Sequence, residues 1–155
     1  MSESELETPN MHPLPHTYSV AATAGAETNV SLSAKGVTTI TSAGPVEFGG
    51  PGDQWSPESL LVASVADCFI LSFRAIARAA RLEWRDLECH VDGLLDRVDG
   101  QLRFTTFIVK AVLSIPPGEN PDKADKLLHK AEHSCLITNS LIAESELEAM
   151  VRVNE

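Results

Sequence analysis

Between Ser56 and Phe73 this chain is apolar but for Glu58, Asp67 and a few serines, and a helix built from that run has little polar surface to show to solvent. Ser56 is suited to cap such a helix, Pro57 to its first position, and Glu58 to the positive end of its dipole. The run is apolar nearly all round as far as Phe73, then turns amphipathic towards about Leu82, with Arg74, Arg78 and Arg81 on exposed turns. A helix apolar round its circumference has to be enclosed on every side. In a chain of 155 residues that favours a central helix covered by a sheet and by a partner chain.

The flanking segments supply the sheet. Residues 1–16 are polar, acidic and punctuated by proline, and read as a flexible arm ahead of a single domain over 17–155. Tyr18 to Ser42 is rich in Thr, Val and Ser, with breaks at Gly25 and Gly36, and predicts two or three short strands. Gly44 to Asp53 reads as a loop. Leu87, Cys89 and Val91 alternate with polar residues as a half-buried strand does, and Asp99-Gly100 signals a hairpin. Leu102 to Ile115 predicts a long strand buried in part on both faces, ended by Pro116-Pro117-Gly118. Asn120-Pro121 opens an amphipathic helix with Ala124, Leu127, Leu128 and Ala131 at helical spacing. Ala143 to Val153 is helical by propensity in its first half and strand-like in its second, and is read as a strand. The order predicts an α+β fold.

Charge and composition exclude several functions. A formal net charge of −10 argues against nucleic acid and anionic membrane surfaces as partners. No charge-free stretch reaches the length of a membrane span, and the acidic start lacks the n-region of a secretory signal, so the expected location is cytoplasmic. Three cysteines are too few for a secreted disulfide scaffold of this size. Cations are scarce: before Arg74 the only Lys or Arg is Lys35.

Two of the cysteines sit in contrasting settings. Cys68 lies about three turns into the apolar helix, too deep for the dipole to activate it, and apolar burial raises a thiol's pKa. A reactive Cys68 therefore needs a cation brought to it by the fold. Its neighbour Asp67 projects about 100° away around the helix. Cys135 follows the amphipathic helix beside Ser134, Thr138 and Asn139, and looks less like a core residue than Cys68 does. Cys89 reads as core. Tyr18 and Trp55 also read as core before they read as pocket lining. His129, His133 and Cys135 together could hold zinc, but no fourth ligand is evident and a solvated helix face is the simpler reading. Glu58 is ten positions from Cys68, about 15 Å of rise on a straight helix. For both to serve one site, Glu58 must come from a second copy of the chain or the helix must break.

The segment Ser56–Phe69, with Pro57-Glu58 ahead of Cys68, and the segment Ala131–Leu141, with Cys135 in a Cys-Leu-Ile-Thr-Asn-Ser context, resemble the OsmC/Ohr family of thiol peroxidases. The likeness covers most of residues 17–153. It implies an intertwined α+β homodimer, with antiparallel sheets wrapped around two central buried helices and two sites at the subunit interface. It implies Cys68 as the peroxidatic cysteine, Cys135 as the resolving one, and Glu58 as the family's helix-start glutamate. It also implies organic hydroperoxides as substrates, an external dithiol such as a lipoyl group as reductant, no metal, flavin or haem, and an antioxidant role under stress. One family element is missing. The first hairpin, where the family carries an arginine, reads Gly25-Ala26-Glu27-Thr28-Asn29, and Lys35 cannot reproduce a planar bidentate guanidinium. The leading expectation is a cysteine-based peroxidase with an apolar pocket around Phe69 and Phe73. The alternative is a non-catalytic small-molecule-binding or redox-sensing protein on the same fold.

Overall fold

A computed structural model describes residues 11–155. Most of the arm expected over residues 1–16 thus lies outside the described residues, and residues 11–16 form no helix or strand. The chain divides into two units, meeting in sequence at Leu61 and Val62.

The first unit holds a small antiparallel meander. Strands β1 (Ala21–Thr23), β2 (Val30–Ser33) and β3 (Ile40–Ser42) pair in that order. The Gly25 amide donates to Thr28 Oγ1 at 2.7 Å in the first turn, and Gly36 takes the second with a positive φ of 79°. The predicted loop contains one 3-10 turn, Val46–Phe48. Tyr18, Val20, Val46, Phe48 and Trp55 are all exposed, against the expectation that Tyr18 and Trp55 would be core. Strands of three and four residues make a sheet too small to cover large side chains.

The unit ends on the first turn of helix α1 (Pro57–Ala79). Its start is a capping box in which Ser59 takes the usual place of Glu. The Ser59 amide donates to Ser56 Oγ at 3.1 Å and the Ser56 amide to Ser59 Oγ at 2.9 Å.

In the second unit, β4 (Asp86–Val98) and β5 (Gln101–Ile115) form a long hairpin closed by Asp99 and Gly100, both at positive φ, as the sequence predicts. Helices α2 (Pro121–Ser134) and α3 (Leu136–Asn139) then carry the chain back to β6 (Glu144–Val153), which pairs with β5 in parallel. This sheet is therefore mixed, where all-antiparallel sheets were expected, because a helical crossover returns the chain to the end of β5 at which a parallel neighbour begins. β6 is a strand despite its helix-forming Glu and Leu residues. Alternation puts Ser145, Leu147, Ala149 and Val151 on the less exposed side and Glu144, Glu146 and Glu148 on the exposed side.

One face of the sheet is the core. Phe107, Val109, Ala111, Leu113 and Ile115 of β5 are buried, and the register sets Cys89 and Val91 of β4 opposite Ala111 and Val109. Within this unit α1 buries Val65, Phe69, Phe73, Ile76 and Ala77. Phe73 meets Trp84 edge to face at 5.4 Å, and Gly93 lies so close to Val62 that a Cβ there would come within 2.8 Å of its Cγ2. The enclosure expected for α1 is incomplete in one chain. Leu71 is 50% exposed and most other apolar positions up to Ile70 are only half-buried. By length and apolar content alone α1 could also cross a bilayer, a property it shares with core helices of folded domains.

Candidate active site

Helical periodicity builds one wall of a cavity. Ser64, Asp67, Cys68, Leu71, Ser72 and Ala75 follow the i, i+3, i+4 spacing that sets residues on one helix face, and all six line a single cavity of about 430 Å³. Ser134, Leu136 and Ile137, from the junction of α2 and α3, form the opposing wall. Asp67 and Cys68 thus share this cavity despite their angular separation, because both fall within the same broad stripe. Phe69 and Phe73 do not line it. They point into the core at 1% and 0% exposure, so the expected pocket around them is replaced by one on the neighbouring face of the helix.

The two cysteines are neighbours in space: Cys68 lies near enough to Cys135 to push its thiol pKa up. Their burial is the reverse of the sequence expectation: Cys68 is half-buried at the cavity wall, whereas Cys135 is 2% exposed. The reason is local. Asn120 caps α2 by accepting from the Asp122 and Lys123 amides at 2.9 and 3.2 Å, and the helix lays Ala124, Leu128 and Ala131 into the core. Cys135 is the next inward position after Ala131, at the kink where α2 ends and α3 begins. Polar neighbours in sequence do not make a residue exposed when the turn that carries it is packed.

Burial is the main influence on the Cys135 thiol and pushes its pKa up. Thr138 opposes this through its backbone amide and hydroxyl, and the neighbouring Cys68 adds to the rise. The Thr138 hydroxyl also donates to the Cys135 carbonyl at 3.1 Å. Cys68 Sγ lies 3.8 Å from Ser72 Oγ. Cys89, read as core with no role, is half-buried on the inner face of β4, and burial raises its thiol to about 11, with the nearby Cys135 charge adding to the effect. The three thiols are therefore neighbours in space, with Cys135 near both Cys68 and Cys89, a grouping that no spacing in the chain announces.

Among the described residues lining the cavity there is no Lys, Arg or His. Lys35 sits exposed in the turn between β2 and β3. His129 pairs with Asp125 at 3.6 Å, and among the described residues no three His, Cys, Asp or Glu side chains gather as a metal site, so the His129, His133, Cys135 reading has no geometry behind it.

Glu58 stands apart from the thiols. Helix α1 is unbroken from Pro57 to Ala79, so ten positions amount to about 15 Å along its axis. Its Oε1 is buried and has no hydrogen-bond partner among the described residues.

Two neighbouring thiols, one of them lining a cavity, are thus set on a two-unit α+β scaffold. The family of OsmC-like proteins matches residues 50–149, and the chain belongs to it. The uncharacterized protein YmaD of Bacillus subtilis is 27% identical over 143 residues, covering 89% of this chain and 95% of that one. Peroxiredoxin OsmC of Escherichia coli is 26% identical over 97 residues, 63% of this chain and 67% of its own. Among solved structures, an OsmC-like protein of unknown function from Vibrio cholerae superposes with a TM-score of 0.80 at 19% identity, covering 88% of this chain and all of that one.

Proposed function

We propose that this chain is a thiol-dependent peroxidase that reduces organic hydroperoxides, working in the cytoplasm as a homodimer in antioxidant defence. The observation that carries this reading is the closeness of Cys135 to Cys68, which lines a cavity large enough for a small organic molecule. The Cys68 thiolate attacks the distal peroxide oxygen, so that an S–O bond forms, the O–O bond breaks and the alcohol leaves with a proton. Cys135 attacks the resulting sulfenic acid sulfur, an S–S bond forms and water departs. An external dithiol, such as a lipoyl group, then reduces the disulfide by two exchange steps. No metal or organic cofactor takes part in this scheme.

Glu58 is assigned to the site of the other subunit. The unbroken helix carries it away from its own Cys68, and its buried, unpartnered oxygen calls for a donor that one chain's described residues do not provide. The half-covered apolar surface of α1 supports the same dimer, because two such helices packed together would complete each other's enclosure.

The test is turnover of cumene hydroperoxide with dihydrolipoamide as reductant. Wild type should turn over, Cys68→Ser should be inactive, and Cys135→Ser should stop after one cycle. Wild-type protein that leaves the peroxide untouched removes the proposal.

A second reading has its own observation. Among the described residues no Lys, Arg or His lines the cavity, and a neighbouring cation is what ordinarily activates a thiol. This supports a non-catalytic small-molecule-binding or redox-sensing OsmC-like protein. Stopped-flow oxidation of Cys68 separates the two, since a sensor or binder without activation reacts near the rate of a free thiol.

A further inference from the structure

We propose that Asp67 makes the Cys68 cavity charge-selective, admitting hydroperoxides and reductants that are neutral or cationic where they approach the sulfur and turning away anionic ones. The inference deepens the peroxidase reading by naming the substrate class, and rests on Cys68 being the thiol that reacts.

The carboxylate and the thiol line one cavity from consecutive helix positions. The other groups nearest Cys68 on that wall, Ser64, Ser72 and Leu71, carry no charge, and among the described lining residues there is no cation to offset Asp67. The chain as a whole adds to its field, with a formal net charge of −10. A carboxylate one helix position away acts across less than a Debye length at physiological salt. Partly screened, it separates the rates of an anionic and a neutral reagent of equal shape by roughly three- to tenfold. Asp67 itself is exposed and touches no reacting atom, so its part is to set which reactants arrive.

Irreversible alkylation of Cys68 in the full chain tests this without needing turnover. Neutral iodoacetamide and anionic iodoacetate differ little beyond charge, and each forms a thioether with loss of iodide. Peptide mapping gives the rate at Cys68, and a small free thiol gives the reference ratio. Wild type should disfavour iodoacetate, relative to that reference, by roughly three- to tenfold, and Asp67→Asn should move the ratio most of the way to the reference. Taking the ratio cancels any change in the thiolate fraction, because both reagents consume the same thiolate. Asp67→Ser serves as a second variant and should behave alike. A ratio unchanged by both variants overturns the proposal. If the ratio shifts while no hydroperoxide is turned over, the charge selectivity stands and the peroxidase reading falls. With turnover, cumene hydroperoxide should outrun its para-carboxylate analogue in wild type, and Asp67→Asn should narrow that gap by the same factor. A gap that stays open overturns the selectivity for substrates.

Discussion

Replacing Glu58 by alanine should destabilise this protein, and the sign of that change decides whether the chain works alone. Among the described residues of one protomer the buried Oε1 is an acceptor without a donor, and such an atom costs about 1–3 kcal/mol. Its removal would recover that amount, less about 0.3–1 kcal/mol for a carboxylate lost from the first helical turn. The protomer would then be unchanged or more stable by up to about 2.7 kcal/mol. If a second copy supplies the donor, truncation instead breaks a buried charge-assisted contact and costs about 2–5 kcal/mol. The two cases differ in sign. Urea denaturation of wild type and Glu58→Ala, repeated over a roughly hundredfold range of protein concentration, reads both the sign and the mass-action dependence that an obligate dimer must show. The expected result is a less stable variant and a wild-type midpoint that rises with concentration. A more stable variant, or a midpoint indifferent to concentration, would refute the placement of Glu58 at a subunit interface.

Two further predictions concern the other thiols. Burial holds the Cys89 thiol protonated up to about 11, against 9.0 for an exposed thiol. Folding is therefore favoured in full below pH 9 and this contribution is lost as pH rises from 9 towards 11, where only the unfolded chain gives up the proton. With the thiol's partial exposure allowed for, the loss is about 1–2 kcal/mol, and the difference between wild type and Cys89→Ala in denaturation midpoints across that window should display it; parallel pH profiles would refute it. Thr138→Val removes one of the two groups that draw the Cys135 pKa down. Its alkylation at pH 8 should slow by about three- to tenfold with Cys68 labelling little changed, and equal Cys135 rates in the two proteins would show that the Thr138 hydroxyl does not reach the sulfur.

Local rules were enough for the elements. Ser56 and Pro57 opened α1, Asn120 and Pro121 opened α2, and Asp99-Gly100 turned the hairpin, because capping and turn chemistry depend on residues a few positions apart. The strand nature of β6 was legible only weakly, since its Glu and Leu residues favour helix until a neighbouring strand rewards alternation. The direction of that strand was not legible at all. Pairing sense follows from where the crossover ends, which is a property of the path in space.

The site divides in the same way. From the residues alone came two thiols of unlike surroundings, a glutamate set ten positions from one of them, and a shortage of cations. Their spacing could not say that Cys68 and Cys135 are neighbours, that Cys135 is the more deeply buried, that Cys89 stands near it, or that the cavity opens past Asp67 and not past Phe69. Those facts depend on how α2 and α3 pack against the face of α1, and packing joins residues almost seventy positions apart. Periodicity in a sequence records which side of an element is apolar; only the packed structure decides what that side faces.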